Sequence, residues 1–320
     1  MRILVTGSSG FVGRALVARF AADGHQVFAA ARSTPSGLPP SVRALQMNSL
    51  GTGASPLADS CSPEVVVHAA ARVHVMHENA SDALARIRAV NVDGSVALAR
   101  QMLASGARRF VYLSSIKVLG ESSPPGKPFT AEMPPAPADA YGQSKFEAER
   151  ALADFCQGTG MELVVIRPPL VYGPGVKANF DRLMRAVARR RPLPFGRLED
   201  NRRSLVALDN LVDLIVLCAG HPASVGGTFL VSDDEDLSTA ELVRRLARTL
   251  GVAPRLLPVP TWALELAGTL LVRRDAIARL AGSLQVDIEA TRRRLGWRPG
   301  ISVDEGLARA AAPILTGARS

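Results

Sequence analysis

Directly behind a short apolar run, Ile3-Leu4-Val5, the chain reads Thr6-Gly7-Ser8-Ser9-Gly10-Phe11-Val12-Gly13, and apolar residues then recur at helical spacing from Phe11 to Ala22. A strand that turns into a helix over three glycines is a narrow specification. Gly7 permits a tight turn, Gly10 lets the backbone approach a bound group, and Gly13 lets helix and strand pack closely. The helix N-terminus then offers free N–H groups and a positive dipole to an anion such as a pyrophosphate. A glycine triplet alone would also serve as a plain turn; the strand–turn–helix setting makes this one informative.

The same rhythm continues down the chain. Gln26 to Ala30 reads as a second strand and Val65-Val66-Val67 as a third, ended by His68. Asp82 to Ala104 reads as one long helix, Arg109 to Leu113 as a strand, Tyr141 to Cys156 as a helix, and Glu162 to Ile166 as a strand. Strands alternating with helices predict βαβ units and a parallel sheet covered on both faces. The proline-rich stretch from Ser122 to Asp139 is a surface loop. Beyond about residue 168 helical patterns dominate and strands shorten. The predicted fold class is α/β, a Rossmann-type doubly wound parallel sheet with a smaller mixed, mostly helical C-terminal lobe. Residues 1–168 form the dinucleotide-binding domain, rejoined by about 205–232; residues 169–204 and 233–320 form the substrate lobe.

Charge invites a different reading. The net charge is +9, and of 38 basic residues only Lys117, Lys127, Lys145 and Lys177 are lysines. Clusters at Arg189-Arg190-Arg191, Arg273-Arg274 and Arg292-Arg293-Arg294 lack interleaved aromatics, which argues against nucleic acid. Cys61, Cys156 and Cys218 show no pairing pattern, so a reducing compartment is expected. The apolar stretch Trp262 to Val272 is interrupted by Glu265 and is far short of the ~20 residues of a membrane helix. With the first strand starting at once, no room is left for a secretory segment, and a cytoplasmic protein is expected.

Two further signals concern chemistry. The second strand ends Ala29-Ala30-Ala31-Arg32, with no acid to bind the ribose of NAD and a guanidinium where a 2′-phosphate would lie. NADP(H) is therefore expected in preference to NAD(H), the alternative being a solvent-facing arginine in an arginine-rich chain. Ser114-Ser115 ends the strand before Tyr141-Gly142-Gln143-Ser144-Lys145. Tyr141 and Lys145 share one helix face, and a nearby ammonium favours phenolate, which suits acid–base work.

Together these strings resemble the extended short-chain dehydrogenase/reductases of the NAD-dependent epimerase/dehydratase family. The resemblance includes His68-Ala69-Ala70-Ala71, Val90-Asn91-Val92-Asp93-Gly94, Arg167-Pro168, Val171-Tyr172-Gly173-Pro174-Gly175, Arg203 with Asp209, and Leu295-Gly296-Trp297-Arg298-Pro299, nearly the whole chain. It implies Ser115, Tyr141 and Lys145 as catalytic residues. It implies cofactor contacts from Gly7, Ser9, Gly10, Phe11, Val12, Arg32, Asn48, Ala69, Ala70, Ala71, Asn91, Tyr141, Lys145 and Pro168. Substrate contacts fall to Arg72, His74, Ser115, Lys117, Asn179, Arg203 and Arg293, and no metal is implied. The chain departs from the family pattern at Ala31, Asn48, Leu119, Pro169 and Ser204.

Within the family, strings such as Ser-Ser-Ile-Lys-Val and Asn-Arg-Arg-Ser-Leu-Val resemble a bacterial subgroup linked to surface-polysaccharide synthesis. The expected activity is that of a UDP-4-keto-6-deoxy-N-acetylhexosamine 4-reductase, with a UDP-hexose 4-epimerase holding NAD as the alternative. A non-catalytic member is the distant third, since Tyr141 and Lys145 are both kept. A dehydratase is disfavoured because Ile116-Lys117 replaces the acid pair usual there. The resemblance also implies a homodimer through a four-helix bundle built from the helices at Asp82 to Ala104 and from Tyr141.

Overall fold

The computed structural model describes residues 1–33, 37–47, 57–72, 80–124, 126–270 and 274–317. Asn48, His74 and Arg273 lie outside the described residues. The strands are β1 (Arg2–Thr6), β2 (Gln26–Ala31), β3 (Val42–Gln46), β4 (Val65–His68), β5 (Arg109–Leu113), β6 (Glu162–Arg167), β7 (Leu170–Tyr172), β8 (Arg203–Ala207), β9 (Thr228–Leu230) and β10 (Asp236–Leu237). The helices are α1 (Phe11–Ala22), α2 (Leu57–Ser60), α3 (Ala80–Arg88), α4 (Gly94–Ala104), α5 (Ala140–Thr159), α6 (Ala178–Ala188), α7 (Leu208–Gly220), α8 (Thr239–Thr249), α9 (Thr261–Leu270), α10 (Arg274–Ala281), α11 (Glu289–Leu295) and α12 (Val303–Leu315).

Seven strands form one parallel sheet in the order β3-β2-β1-β4-β5-β6-β9. Alternation along each strand feeds two cores. Ile3, Val5, Val65, Val67, Val111 and Ile166 pack with Leu16, Val17 and Phe20 of α1 and with the apolar face of α7. Leu4, Val66, Phe110 and Tyr112 point the other way, onto Leu98 and Met102 of α4 and Leu152 and Cys156 of α5. Burial on both faces is why these strands read as unbroken apolar runs.

A smaller sheet, β10-β8-β7, carries a third core with α6, α8 and α12. Buried Asp233 ties the two parts together. It accepts hydrogen bonds from the Ala207 backbone at 2.8 Å, from Asn210 at 2.7 Å and from the Tyr172 hydroxyl at 2.7 Å. Strand β8 belongs to this small sheet, and the return to the large sheet is made by β9, with α7 packed against α1. Among the described residues no helix is long and apolar enough to cross a membrane.

The long helix expected from Asp82 to Ala104 is interrupted. Between α3 and α4 the chain makes one π-helical turn, Ala89–Asp93. A π-turn adds a residue to the helix and re-aims its side chains. Here the buried Asn91 takes up bonds outside its own helix, as described next.

Candidate active site

The turn between β1 and α1 is built as tightly as its glycines suggest. Gly7 has φ +69°, and a Cβ there would stand 2.8 Å from the Ala70 nitrogen. A Cβ on Gly13 would come within 2.2 Å of the Gly7 carbonyl oxygen, which accepts a 2.8 Å hydrogen bond from the Gly10 N–H. Gly10 caps α1 without any side-chain hydrogen bond, so the first-turn N–H groups face outward. Beside this turn the sheet order reverses between β1 and β4, where open α/β sheets bind nucleotides. Ser9, Gly10, Phe11 and Val12 carry the chain from this turn into α1, and Ala69 and Ala70, which follow β4, lie against Gly7. A cradle that excludes Cβ atoms and keeps helix N–H groups uncapped fits a dinucleotide pyrophosphate.

The Ser115 turn follows β5. The Ser115 hydroxyl caps the next short turn by accepting from the Lys117 N–H at 3.3 Å, and the Ile116 N–H donates to the Pro168 carbonyl at 2.9 Å. The end of β6 therefore lies beside Ser115. Helix α5 starts against the same turn: a Cβ on Gly142 would be 2.6 Å from the Lys117 carbonyl oxygen. Asp139 caps α5, accepting from the Gly142 N–H at 2.7 Å. Local chemistry thus brings Ser115, Tyr141 and Lys145 onto two abutting elements.

Lys145 is buried. Its ammonium donates to the Leu113 carbonyl at 2.7 Å and sits 4.5 Å from the Tyr112 ring centroid and 5.9 Å from that of Tyr141. Burial pushes its pKa down to about 7, against the opposing charge of Glu149. Burial, then the charge of Asp139, pushes the Tyr141 phenol up to about 12. The expected phenolate-favouring effect of the ammonium is thus outweighed by desolvation.

Behind Lys145, the Arg167 guanidinium grips Glu149 with bonds of 3.0 and 2.6 Å, both side chains 8% exposed. The Ser114 hydroxyl also donates to Glu149.

Asn91 is a strut. Its amide donates to the Arg72 carbonyl and to the Ser144 hydroxyl, each at 3.0 Å, and its oxygen accepts from the Arg72 N–H at 2.8 Å. It holds the segment after β4 against α5. A second buried chain reaches the same place. Ser95 donates to the Asn91 carbonyl at 2.6 Å, so it accepts from His68 Nε2 at 3.0 Å; His68 Nδ1 then accepts from the Thr6 hydroxyl at 2.6 Å.

Burial beside Lys145 depresses the His68 pKa to about 3. Above the ordinary value of 6.5 the imidazole is neutral folded or unfolded, and it adds no pH dependence. Below 6.5 only the unfolded chain takes the proton, so stability falls with a slope approaching ~1.4 kcal/mol per pH unit until about pH 3. Urea midpoints at pH 7 and pH 4 should therefore drop further in the wild type than in His68→Asn; equal drops would contradict the buried neutral imidazole.

A separate cavity of about 360 Å³ opens in the smaller lobe, lined by Asn179, Phe195, Leu205, Leu237, Arg203 and Arg279. The Arg203 guanidinium donates to the Gly282 carbonyl at 3.0 Å. Burial lowers its pKa, and the charge of Arg279 adds to that against the opposing effect of Glu121. Two guanidiniums held near one another at a cavity wall suit a diphosphate. Arg293 is not there: it lies on the exposed face of α11, and Arg279 lines the cavity instead. Asn179 borders the cavity, its side-chain oxygen accepting from Arg182 at 2.7 Å. Lys117 is engaged by Glu121 at 2.6 Å and Asp139 at 2.5 Å.

A parallel sheet in this order, a glycine-lined switch point and a Ser–Tyr–Lys set define a short-chain dehydrogenase/reductase. Residues 3–231 match the model of the NAD dependent epimerase/dehydratase family, and this chain belongs to that family of enzymes. It is 45% identical over 317 residues to a UDP-glucose 4-epimerase of Vibrio cholerae, covering 98% of this chain and 95% of that one. Its fold is shared with the UDP-glucose 4-epimerase of Thermotoga maritima solved with UDP-glucose (TM-score 0.80, 22% identity, all of both chains). It is also shared with the Bordetella bronchiseptica enzyme WbmG solved with NAD (TM-score 0.76, 22% identity, 98% and 93% covered).

These findings correct the cofactor expectation. The family is NAD dependent, and the similar structure was solved with NAD, not NADP. Arg32 is exposed at the end of β2, as the solvent-facing alternative required.

Proposed function

We propose that this chain is a UDP-hexose 4-epimerase that keeps NAD bound through the reaction. The observation carrying this reading is the 45% identity to a UDP-glucose 4-epimerase along 98% of the chain. The geometry supports it. The turn from Gly7 to Gly13 would hold the pyrophosphate of NAD, and the segments at Ala69 to Ala71 and Pro168 would border the rest. When bound, NAD supplies an acceptor for the hydrogen at C4 and returns it.

This chain's residues do the remainder. Tyr141 takes the C4 hydroxyl proton as the carbonyl forms and gives it back to the C4 oxygen once the sugar has turned over. Lys145 opposes the cost of the phenolate in that buried place. Ser115 orients the C4 oxygen. Arg203 and Arg279 hold the diphosphate, and the anchored nucleotide leaves the sugar free to turn over. Assembly as a homodimer through α4 and α5, cytoplasmic residence and a role in surface-polysaccharide synthesis belong to the same proposal.

The reductase reading uses the same residues on a UDP-4-keto-6-deoxy-N-acetylhexosamine. Its advantage was a cofactor exchanged every turnover, argued from Ala31 and Arg32, and the cofactor correction removes that advantage. One assay separates the two. The purified enzyme should interconvert UDP-glucose and UDP-galactose, or their N-acetyl forms, without added cofactor. Activity only on the keto-sugar, and only with added reduced nicotinamide, would replace this reading by the reductase.

A further inference from the structure

Lys117 stands two residues after Ser115 and one short turn from the start of α5. Its backbone N–H holds the Ser115 hydroxyl at 3.3 Å, and its carbonyl oxygen leaves Gly142 no room for a Cβ. Its ammonium reaches Asp139 Oδ2 at 2.5 Å and Glu121 Oε1 at 2.6 Å. The other Asp139 oxygen caps the helix that carries Tyr141, through Gly142 at 2.7 Å. One side chain thus joins the turn of the serine to the cap of the tyrosine. It also sets a positive charge against a carboxylate two residues from Tyr141. The pair is about one-third exposed, at 26% and 36%, so solvent weakens but does not erase it.

From this geometry we infer that Lys117 is a positioning residue of the reaction, which clamps the Ser115 turn to the α5 cap and cancels the Asp139 charge beside Tyr141. The inference rests on Tyr141 as the acid–base group. Among the described residues, the charged and titratable groups on elements meeting α5 near this end can be named. Asp139, Lys145, Glu147 and Glu149 come from α5 and its cap, Tyr112 from β5, Arg167 from β6, Arg88 from α3 and Asp93 from the π-turn. His68 and Arg72 come from β4 and the segment after it, Lys117 and Glu121 from the serine turn, and Arg279 from α10, 3.7 Å from Glu121. Of these, Asp139 raises the Tyr141 pKa, and Lys117 hydrogen-bonds Asp139, holding it below the ordinary carboxylate value against the effect of burial. Without Lys117 the uncancelled carboxylate makes the phenolate harder to form. With it, Glu121 and Arg279 are drawn into the same charge cluster, which reaches from the reacting end to the diphosphate cavity.

The test compares Lys117→Met, Lys117→Arg and Lys117→Met/Asp139→Asn with the wild type, all checked for equal thermal midpoints. Lys117→Met should lower kcat at neutral pH about tenfold, equivalent to a rise of about one unit in the Tyr141 pKa. KM for UDP-glucose should stay the same, and the rise of kcat with pH should move to higher pH. Lys117→Arg should restore most of the rate. Asp139→Asn keeps an oxygen to cap Gly142 but removes the charge, so it should rescue Lys117→Met. A pH-jump titration of tyrosinate ultraviolet absorbance gives a readout without substrate. The chain has three tyrosines, all pushed up by burial, so subtracting the profile of Tyr141→Phe isolates the titration of Tyr141. Its titration should move up in Lys117→Met and back in the double variant. A KM rise alone, an unmoved tyrosinate titration, or no rescue by Asp139→Asn would overturn the inference. If the wild type fails to epimerise UDP-hexoses, the proposed function falls, while the titration still decides the role of Lys117.

Discussion

Tyr141→Phe is expected to cut turnover by roughly 10²–10⁴-fold, the ordinary worth of a placed acid–base group. UDP binding should survive, because the cavity proposed to take the diphosphate, lined by Arg203 and Arg279, lies in the smaller lobe and does not include Tyr141. The size of the loss follows from burial. Tyr141 sits at the start of α5 with its phenol pushed up to about 12, and Lys145 and the Ser115 turn lie beside it. Removing the hydroxyl leaves the C4 oxygen without a proton partner in a site that solvent reaches poorly. Isothermal titration with UDP and a rate assay on the same preparation check both halves. A variant that binds UDP and retains more than about a tenth of the wild-type rate would remove Tyr141 from the chemistry.

Arg167→Leu carries the largest expected cost in stability, about 3–5 kcal/mol. The guanidinium grips Glu149 with two bonds, and both side chains are 8% exposed. Losing the cation strands a carboxylate in the sheet–helix interior, with the Ser114 hydroxyl as its one remaining hydrogen-bond donor among the described residues. Pairing Arg167→Met with Glu149→Gln should recover much of the loss, since a buried pair replaced whole is often close to neutral. Glu149 also supports the charge of Lys145 one turn away, so activity should fall alongside stability. Urea unfolding of the wild type and the two variants measures both changes. A loss under about 1 kcal/mol for Arg167→Leu would mean that water reaches the pair.

What could be read from the sequence was what short-range pattern encodes. Ile3-Leu4-Val5 and the glycines behind it gave the switch point, because turn sterics are local. Ser115, Tyr141 and Lys145 were legible because a strand end and a helix face fix their spacing. The π-turn at Ala89–Asp93 was not, since apolar periodicity runs on through it and only the bonds of Asn91 to Arg72 and Ser144 reward the extra residue. Strands β7 and β10 are three and two residues long and exist through pairing with β8, a distant segment. That Arg279 lines the cavity beside Arg203 was not legible, because only the fold brings α10 to that wall. Arg32 misled for a compositional reason: where most cations are arginines, an arginine past a strand end says little about a phosphate.

The proposed epimerase oxidises C4 and reduces it again on one enzyme, with the same hydrogen removed and returned. UDP-glucose deuterated at C4, incubated with the purified protein and no added cofactor, tests it most directly. UDP-galactose should appear with the deuterium still at C4, at a rate slowed by the label if hydrogen transfer limits turnover. UDP-galactose whose C4 label has been exchanged with solvent, or no UDP-galactose until reduced nicotinamide is supplied, would contradict it.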